Sequence, residues 1–437
     1  MEKFNNTIMK KLLLTLLLPL VAGTLLAQSA REEIRNNVKL SASNYVAYIP
    51  PTEALTPAPK GYEPFYISHY ARHGSRWLIS PSQYDDVKKA LETAQKYGKL
   101  TATGQDVLDR LLRFYPTTVK RLGELTTVGE RQHHGIGKRL TEHFPEVFSG
   151  NAQVDARSTV VIRCILSMEA ECEELAQFNN KITFHNDVSE SLQYYLNQNR
   201  NSVVEAAHQK YVPVYQDYIQ KLVKPQRLCQ LLFNDQEYVC NNLEASKFMR
   251  QLFDIASNMQ SHDTDISFYD LFTEDEIYDL WKIQNIRWYI GYGPSPISEG
   301  LSPFSQENLL DNIIATADSI VDNRNYNGAT LRFGHEVCVM PLACLLELGN
   351  CGKAYTDLET LDEHWRNYNI YPMASNVQLV FYRPKKGNGD ILVKALLNER
   401  EVTLPAQTDT YPYYKWQDLR SYYVKKLSDY REKYNLK

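Results

Sequence analysis

Two groups of short apolar segments, one towards each end of the chain, carry the pattern of β-strands. The first group opens with PFYISHY, which is rich in aromatic and β-branched residues. In the second group Ala329, Leu331 and Phe333 alternate with polar or small residues, as in a half-buried strand. The predicted strands are residues 64–70, 152–156, 329–333, 376–383 and 390–397.

The middle of the chain, from about residue 188 to 320, has the apolar spacing of helices instead. Helices are predicted over residues 158–178, 203–222, 245–259, 275–290 and 307–321. A further helix follows Gly334 and runs to Leu348, where Gly349 would end it. Strands that alternate with helices at both ends, around a helical block, predict an α/β fold with a mostly parallel central sheet flanked by helices and an inserted all-helical domain.

The expected domain boundaries follow from the same change of pattern. Residues 28–180 and 322–437 are predicted to form the α/β core, and residues 181–321 the helical insertion. Residues 1–27 are predicted to be a cleaved signal peptide, because Lys10 and Lys11 precede an apolar run that ends in small residues at Ala27. The alternative is a membrane anchor, for which the run is short and contains Pro19 and Gly23. The mature protein is therefore expected to be secreted or periplasmic, with no membrane span.

Composition and motif searches exclude several classes of function. The 437 residues carry a formal charge of −4, which argues against nucleic acid as a partner held by a general basic field. Neither a P-loop nor a G-x-S-x-G motif occurs. The seven cysteines form no CxxC pair, so a zinc site is not expected, whereas local disulfides Cys229–Cys240 and Cys344–Cys351 remain open.

Arginine, histidine and a carboxylate follow three of the predicted strands. The string Arg72-His73-Gly74-Ser75-Arg76 follows the first, Arg157 and Arg163 flank the start of the helix after the second, and His335-Glu336 follows the third. Ligand sites of open α/β sheets gather at the carboxyl ends of strands. Arginine binds phosphate oxygens in bidentate fashion, and a neutral histidine can attack phosphorus. The sequence therefore predicts one pocket for a phosphorylated ligand.

These strings resemble the signatures of the histidine acid phosphatase family, the acid phosphatase and phytase branch of the histidine phosphatase superfamily. RHGSR resembles its RHGxR, ELTTVGERQ its ELTxxGxxQ, and RSTVVIRCILS its RSTxxxRxxxS, in the expected order. Within the family the chain looks most similar to multiple inositol polyphosphate phosphatases. The resemblance implies a histidine-phosphatase-like sheet, His73 as the nucleophile, and phosphate binding by Arg72, Arg76, Arg163 and His335. It also implies that Glu336, or a group near it, donates the proton, with no cofactor and no metal.

One departure from the family pattern bears on the substrate. Inositol polyphosphate phosphatases usually read His-Ala-Glu, whereas this chain reads His335-Glu336-Val337. We expect a small phosphorylated substrate, an inositol polyphosphate such as phytate, hydrolysed through a phosphohistidine. The alternatives are a broad-specificity acid phosphatase and a non-catalytic protein that binds a phosphorylated ligand. A phosphomutase is disfavoured because Arg76 follows the RHG string.

Overall fold

The computed structural model describes residues 28–436, so the predicted signal peptide lies outside the described residues. Within that range no helix is both long and apolar enough to cross a membrane. The strands are β1 Tyr62–Arg72, β2 Gln153–Ser158, β3 Thr183–Asp187, β4 Gly328–Gly334, β5 Asn376–Pro384, β6 Leu392–Leu397, β7 Arg400–Val402 and β8 Tyr414–Lys415.

Seventeen α-helices lie in the described range and are numbered here in chain order. The first half of the chain holds α1 Ala30–Asn36, α2 Pro81–Lys96, α3 Ala102–Phe114, α4 Thr127–His143, α5 Ile162–Phe178, α6 Gln193–Leu196, α7 Ser202–Gln209 and α8 Tyr211–Leu222. The second half holds α9 Gln226–Leu232, α10 Gln236–Asn242, α11 Ala245–Asn258, α12 Glu274–Tyr292, α13 Glu307–Val321, α14 Glu336–Leu345, α15 Leu361–His364, α16 Asn367–Ile370 and α17 Trp416–Lys433.

The central sheet is mixed and mostly parallel on one side of β1, as the sequence predicted. Its order is β3-β2-β4-β1-β5-β6-β7, and β8 pairs with β6. The first four strands are mutually parallel, whereas β5, β6 and β7 run antiparallel to their neighbours. Helices α4 and α5 share a hydrophobic cluster with one face of the sheet, and α13, α14 and α17 share one with the other. The α/β class with a sheet between helical layers is confirmed.

The segment expected to be all-helical begins with a strand, which corrects the prediction for residues 181–321. Thr183–Asp187 forms β3 and pairs in parallel with β2 at the edge of the sheet. Most of its side chains are exposed, and so the strand lacks the apolar alternation by which the others were found. The rest of the range, from Glu190 onwards, holds only helices and turns in the described structure.

Although α13 packs against the sheet, α11 and much of α12 belong to a second, helical body. Its hydrophobic cluster joins α11 and α12 to α2 and α3, which precede β2 in the chain. Phe248, Leu252 and Trp281 lie in it together with Val87 and Leu108. Helices from residues 81–114 therefore pack with this body, while the domain division at residues 180 and 322 stays a prediction.

All seven cysteines lie within the described range and are free thiols. Neither pair that the sequence left open is joined as a disulfide. Six of the seven are buried, and burial raises the pKa of Cys164 to about 12, so that thiol is not a reactive thiolate at neutral pH.

A buried hydrogen bond joins α4 to α5 beneath the carboxyl end of β1. Nδ1 of His133 lies 2.7 Å from a carboxylate oxygen of Glu171, and both side chains are fully buried. His69 of β1 brings its Nε2 to 3.5 Å from the other oxygen of Glu171. Buried polar groups need such partners, because a donor or acceptor left unpaired in the interior is unfavourable.

We expect Glu171→Ala to destabilise the fold by about 1–3 kcal/mol, because Nδ1 of His133 loses its buried hydrogen-bond partner. The matched control is Glu174→Ala, since Glu174 pairs with His134 at 2.9 Å between the same two helices but both side chains keep more than a fifth of their exposure. That change should cost under about 1 kcal/mol. Denaturant unfolding of both variants measures the difference, and equal losses would refute the assigned importance of the buried pair.

Candidate active site

Three parallel strands end side by side and bring the predicted site residues to one edge of the sheet. Arg72 at the end of β1 is paired with Gly334 at the end of β4, and Ser158 at the end of β2 is paired with Phe333. Backbone hydrogen bonds continue one residue beyond: the N–H of His73 donates to the carbonyl of Gly334 at 3.0 Å. His73 and His335 thus leave neighbouring strands, with their ring centroids 5.6 Å apart.

The turn after β1 is held by the first residues of α4. A Cβ on Gly74 would lie 2.4 Å from the carbonyl oxygen of Gly129, and one on Gly129 would lie 2.3 Å from the carbonyl oxygen of Ser75. Gln132 accepts a hydrogen bond from the Ser75 N–H at 2.9 Å and donates one to Oγ of Ser75 at 3.0 Å. Thr126 caps the helix by accepting from the N–H of Gly129. The residues of the ELTTVGERQ segment therefore hold the RHGSR turn in place.

His73 is buried as a neutral imidazole with one free nitrogen. Its Nδ1 lies 2.8 Å from the carbonyl oxygen of Gly74, a contact in which Nδ1 must donate. Burial lowers the pKa of His73 well below its ordinary value, against the opposing effect of Glu336. Nε2 consequently carries a lone pair, and it has no hydrogen-bond partner among the described residues. This is the state that a nucleophile towards phosphorus requires.

The arginines around His73 are buried with unused donors. Arg72 and Arg76 are at most 3% exposed, and Arg163 is partly buried on the first turn of α5. Arg72 Nη1 donates to the carbonyl of Tyr371 at 2.9 Å, and Arg163 Nη1 to that of Gly123 at 3.2 Å. Within the described residues Arg72 Nη2 and the Nε atoms of Arg72, Arg76 and Arg163 have no hydrogen-bond acceptor. Unpaired buried donors are costly, so their grouping indicates a site for an anion.

Glu336 supplies the only carboxylate that the described structure brings to His73. Its Oε2 lies 3.2 Å from Arg72 Nε, without hydrogen-bond geometry, and 3.7 Å from His73 Nε2. Oε1 lies 4.0 Å from Arg76 Nη2 and accepts a hydrogen bond from Asn44 at 3.4 Å. Burial alone would raise the pKa of Glu336, but the positive charges of Arg72 and Arg76 outweigh it and hold that pKa well below its ordinary value. The resting carboxylate is ionised.

His335 completes the ring of groups around the pocket. Its Nε2 lies 3.4 Å from Oγ1 of Thr159, and burial lowers its pKa to about 4. His73, His335 and Glu336 each offer a ligand atom within 4.8 Å of the others, a spacing that a metal ion can use. The positive charges of Arg72, Arg76 and Arg163 repel a cation at that point, so the arrangement favours an anion.

A cleft of about 360 Å³ opens from Glu336 towards the helical part of the molecule. One wall is the segment Ser41–Tyr45, and the opposite wall is formed by α11 and α12. Residues 181–321 contribute three charged side chains to this wall. The structure identifies them as Arg250, Asp254 and Arg287.

The structure also locates Arg157 and Val337, and it adds a residue that no motif indicated. Arg157 lies outside the pocket, because its guanidinium donates to the backbone carbonyls of Ala156 and His185 and pairs with Asp155. Val337 lines the cleft beside Glu336, which agrees with the expected register in which Glu336, and not residue 337, carries the carboxylate. Asn44 was missed, since no motif surrounds it and it reaches Glu336 from 292 residues away.

The family model of the histidine phosphatase superfamily (branch 2) matches residues 70–398. The chain belongs to that superfamily. No relative is found among the curated proteins by sequence.

Solved structures share the fold of this histidine phosphatase. The multiple inositol polyphosphate phosphatase of Bifidobacterium longum, in complex with phosphate, superposes with a TM-score of 0.71 at 20% identity, covering 89% of this chain and 98% of that one. The complex of the same enzyme with inositol hexasulfate superposes with a TM-score of 0.68 at 19% sequence identity, covering 88% of this chain and 97% of that one. The phytase from D. castellii superposes with a TM-score of 0.68 at 13% sequence identity, covering 92% of this chain and 88% of that one. At these identities the likeness establishes the fold.

We expect Gly129→Ala in this histidine phosphatase to cost about 1–3 kcal/mol and to displace the RHGSR turn, because the new methyl group meets the backbone of Ser75. Gly135→Ala on the same helix is the matched control. Its Cβ would meet only the guanidinium of Arg139, at 3.1 Å, and no backbone atom. Two hydrogen bonds to Glu399 hold that guanidinium, so a small shift is needed and the change should cost under about 1 kcal/mol. Thermal unfolding measures both variants, and a neutral Gly129→Ala would contradict the close approach.

Proposed function

We propose that this histidine phosphatase is a phosphomonoesterase that works through a phosphohistidine at His73 and hydrolyses inositol polyphosphates such as phytate. The observation that carries the proposal is the grouping of a free imidazole nitrogen with buried, unpaired guanidinium donors. The lone pair on Nε2 attacks phosphorus and the ester P–O bond breaks. Arg72, Arg76, Arg163 and His335 hold the phosphoryl oxygens, so neutralisation of charge needs no metal.

Glu336 is the proposed proton donor, and substrate binding changes its state. Attack requires phosphorus about 3–3.5 Å from the nitrogen. In the free enzyme a carboxylate oxygen of Glu336 lies 3.7 Å from Nε2 and occupies the place of the phosphoryl group. A bound phosphate displaces it from Arg72 and sets negative charge beside it, and both effects raise its pKa. It can then protonate the leaving oxygen, and afterwards take a proton from the water that cleaves the P–N bond.

The charge of the cleft supports a substrate with several phosphates. Arg76 lies at its inner end, and Arg250 and Arg287 line the wall formed by α11 and α12. A single phosphate needs only the arginines at His73, whereas a polyanion can contact both groups. The structural relatives include phytases and a multiple inositol polyphosphate phosphatase. Secretion is part of the proposal and is supported by the apolar run after Lys11.

The proposal is tested by phosphate release from phytate and from p-nitrophenyl phosphate, without added metal, across mildly acidic to neutral pH. His73→Ala should abolish turnover of both substrates. Glu336→Gln should lower turnover of phytate by about 10²–10⁴-fold. With p-nitrophenyl phosphate the same variant should show a rapid burst of nitrophenol followed by slow turnover, because this leaving group needs no proton but the phosphohistidine still needs an activated water.

Arg163→Ala and Arg157→Ala are the matched pair of controls. Arg163 flanks the pocket and its loss should weaken both reactions, whereas Arg157 contacts backbone carbonyls outside the pocket and its loss should leave them unchanged. Cleavage of p-nitrophenyl phosphate alone would replace the inositol polyphosphate substrate by a broad range of monoesters. Absence of turnover by the unmodified protein would favour the non-catalytic binding protein.

A further inference from the structure

The wall of the cleft opposite Ser41–Tyr45 carries a second group of charges. Arg250 and Asp254 lie one turn apart on α11, and Arg287 lies on α12. All three line the cleft and are partly exposed. None of them belongs to the RHGSR, Arg163 or His335-Glu336 strings, and none takes part in the bond-breaking steps at His73.

Both arginines are anchored by neighbours other than Asp254. The guanidinium of Arg287 lies 5.7, 5.6 and 5.8 Å from the ring centroids of Tyr211, Tyr215 and Trp288, and it donates to Gln284 at 3.3 Å. Nε of Arg250 donates to the carbonyl of Ser246 at 3.3 Å. In the described structure neither arginine forms an ion pair with Asp254 within 4.0 Å. Two fixed cations therefore stand near a carboxyl group that has no close partner.

The groups that face Asp254 come from each element packed around it. Arg250 lies on its own helix, Arg287 on α12, and Tyr45 on the opposite wall. The hydroxyl of Tyr45 accepts a hydrogen bond from Gln83 at 3.3 Å, and the guanidinium of Arg76 lies 5.5 Å from its ring centroid. Glu336 lines the same cleft. Burial raises the pKa of Asp254 to about 6, although Arg287 and Arg250 oppose it.

We propose that Arg250, Arg287 and Asp254 form a subsite for a substituent of the substrate that does not react, and that Asp254 decides between phosphate and hydroxyl there. The inference rests on the proposed function, since it assigns this wall to the remainder of a polyphosphorylated ring. A protonated Asp254 donates a hydrogen bond and leaves two cations to bind a phosphate. An ionised Asp254 repels a phosphate and accepts a hydrogen bond from a hydroxyl group.

The consequence is a change of substrate preference with pH. A carboxyl group with a raised pKa is neutral below that pKa and charged above it, so the repulsion appears as the pH rises through about 6. Fully phosphorylated rings should be bound best in mild acid. Rings with a free hydroxyl at the position that meets Asp254 should gain relative to them towards neutral pH.

Calorimetric binding of myo-inositol hexakissulfate tests the subsite without requiring turnover. Its sulfate esters stay ionised throughout this pH range, so any pH dependence of binding comes from the protein. Inorganic sulfate reaches the arginines at His73 but does not span the cleft, and it reports the titration of that centre alone. We expect the Kd of the hexakissulfate, relative to that of sulfate, to rise about tenfold from about pH 5 to about pH 7.

Asp254→Asn should abolish most of that relative rise, because the amide stays neutral. Asp217→Asn is the control, since Asp217 is an exposed residue on α8 and its loss changes the net charge equally. Arg250→Gln should weaken the hexakissulfate at low pH while the affinity for sulfate stays the same. The subsite would be overturned if the Kd of the hexakissulfate, relative to that of sulfate, still rose with pH in Asp254→Asn. It would also be overturned if that rise were absent from the unmodified protein. Failure of hydrolysis with these binding results intact would overturn the proposed function alone.

Discussion

The buried charge of Arg72 is the constraint on which the site depends. Its guanidinium lies in the interior with Glu336 as its near counter-charge and the carbonyl of Tyr371 as a further acceptor. Removal of such a group from water is unfavourable unless it is paired. The pairing also fixes the positions of the two loops that follow β1 and β4, and it keeps Glu336 ionised beside a neutral His73. Stability and readiness for an anion therefore arise from the same contact.

The packing of α4 explains how a short turn can hold three functional side chains. Gly129 lies against the backbone of Gly74 and Ser75, and Gln132 binds Ser75 through both its amide oxygen and its nitrogen. Beneath them, His133 of the same helix pairs with Glu171 of α5. Successive residues of one helix thus position the turn on one side and bind the neighbouring helix α5 on the other.

Much of the site could be predicted from the sequence because its parts are local. Each string follows a strand, and strand order in a parallel sheet brings such ends together. Arg72, His73, Arg76 and Glu336 lie together where β1 and β4 end. Arg157, near the end of β2, donates to backbone carbonyls instead. Asn44 and Asp254 could not be found, since they reach the cleft from distant helical turns whose pattern shows only amphipathic packing. The edge strand β3 was missed for a similar reason, because few of its residues are buried.

The pairing of β1 with β4 sets the distance between the two reacting groups that follow these strands. Seven residue pairs join these strands in unbroken register, and neighbouring strands in any sheet lie about 4.8 Å apart. The spacing between the nucleophile and the carboxylate is thereby fixed by backbone hydrogen bonds and not by the length of chain between them. The surface that α11 and α12 present to the cleft can change without altering that spacing. Evolution is therefore free to reshape the helical wall for different ring substituents while the reacting atoms keep their separation.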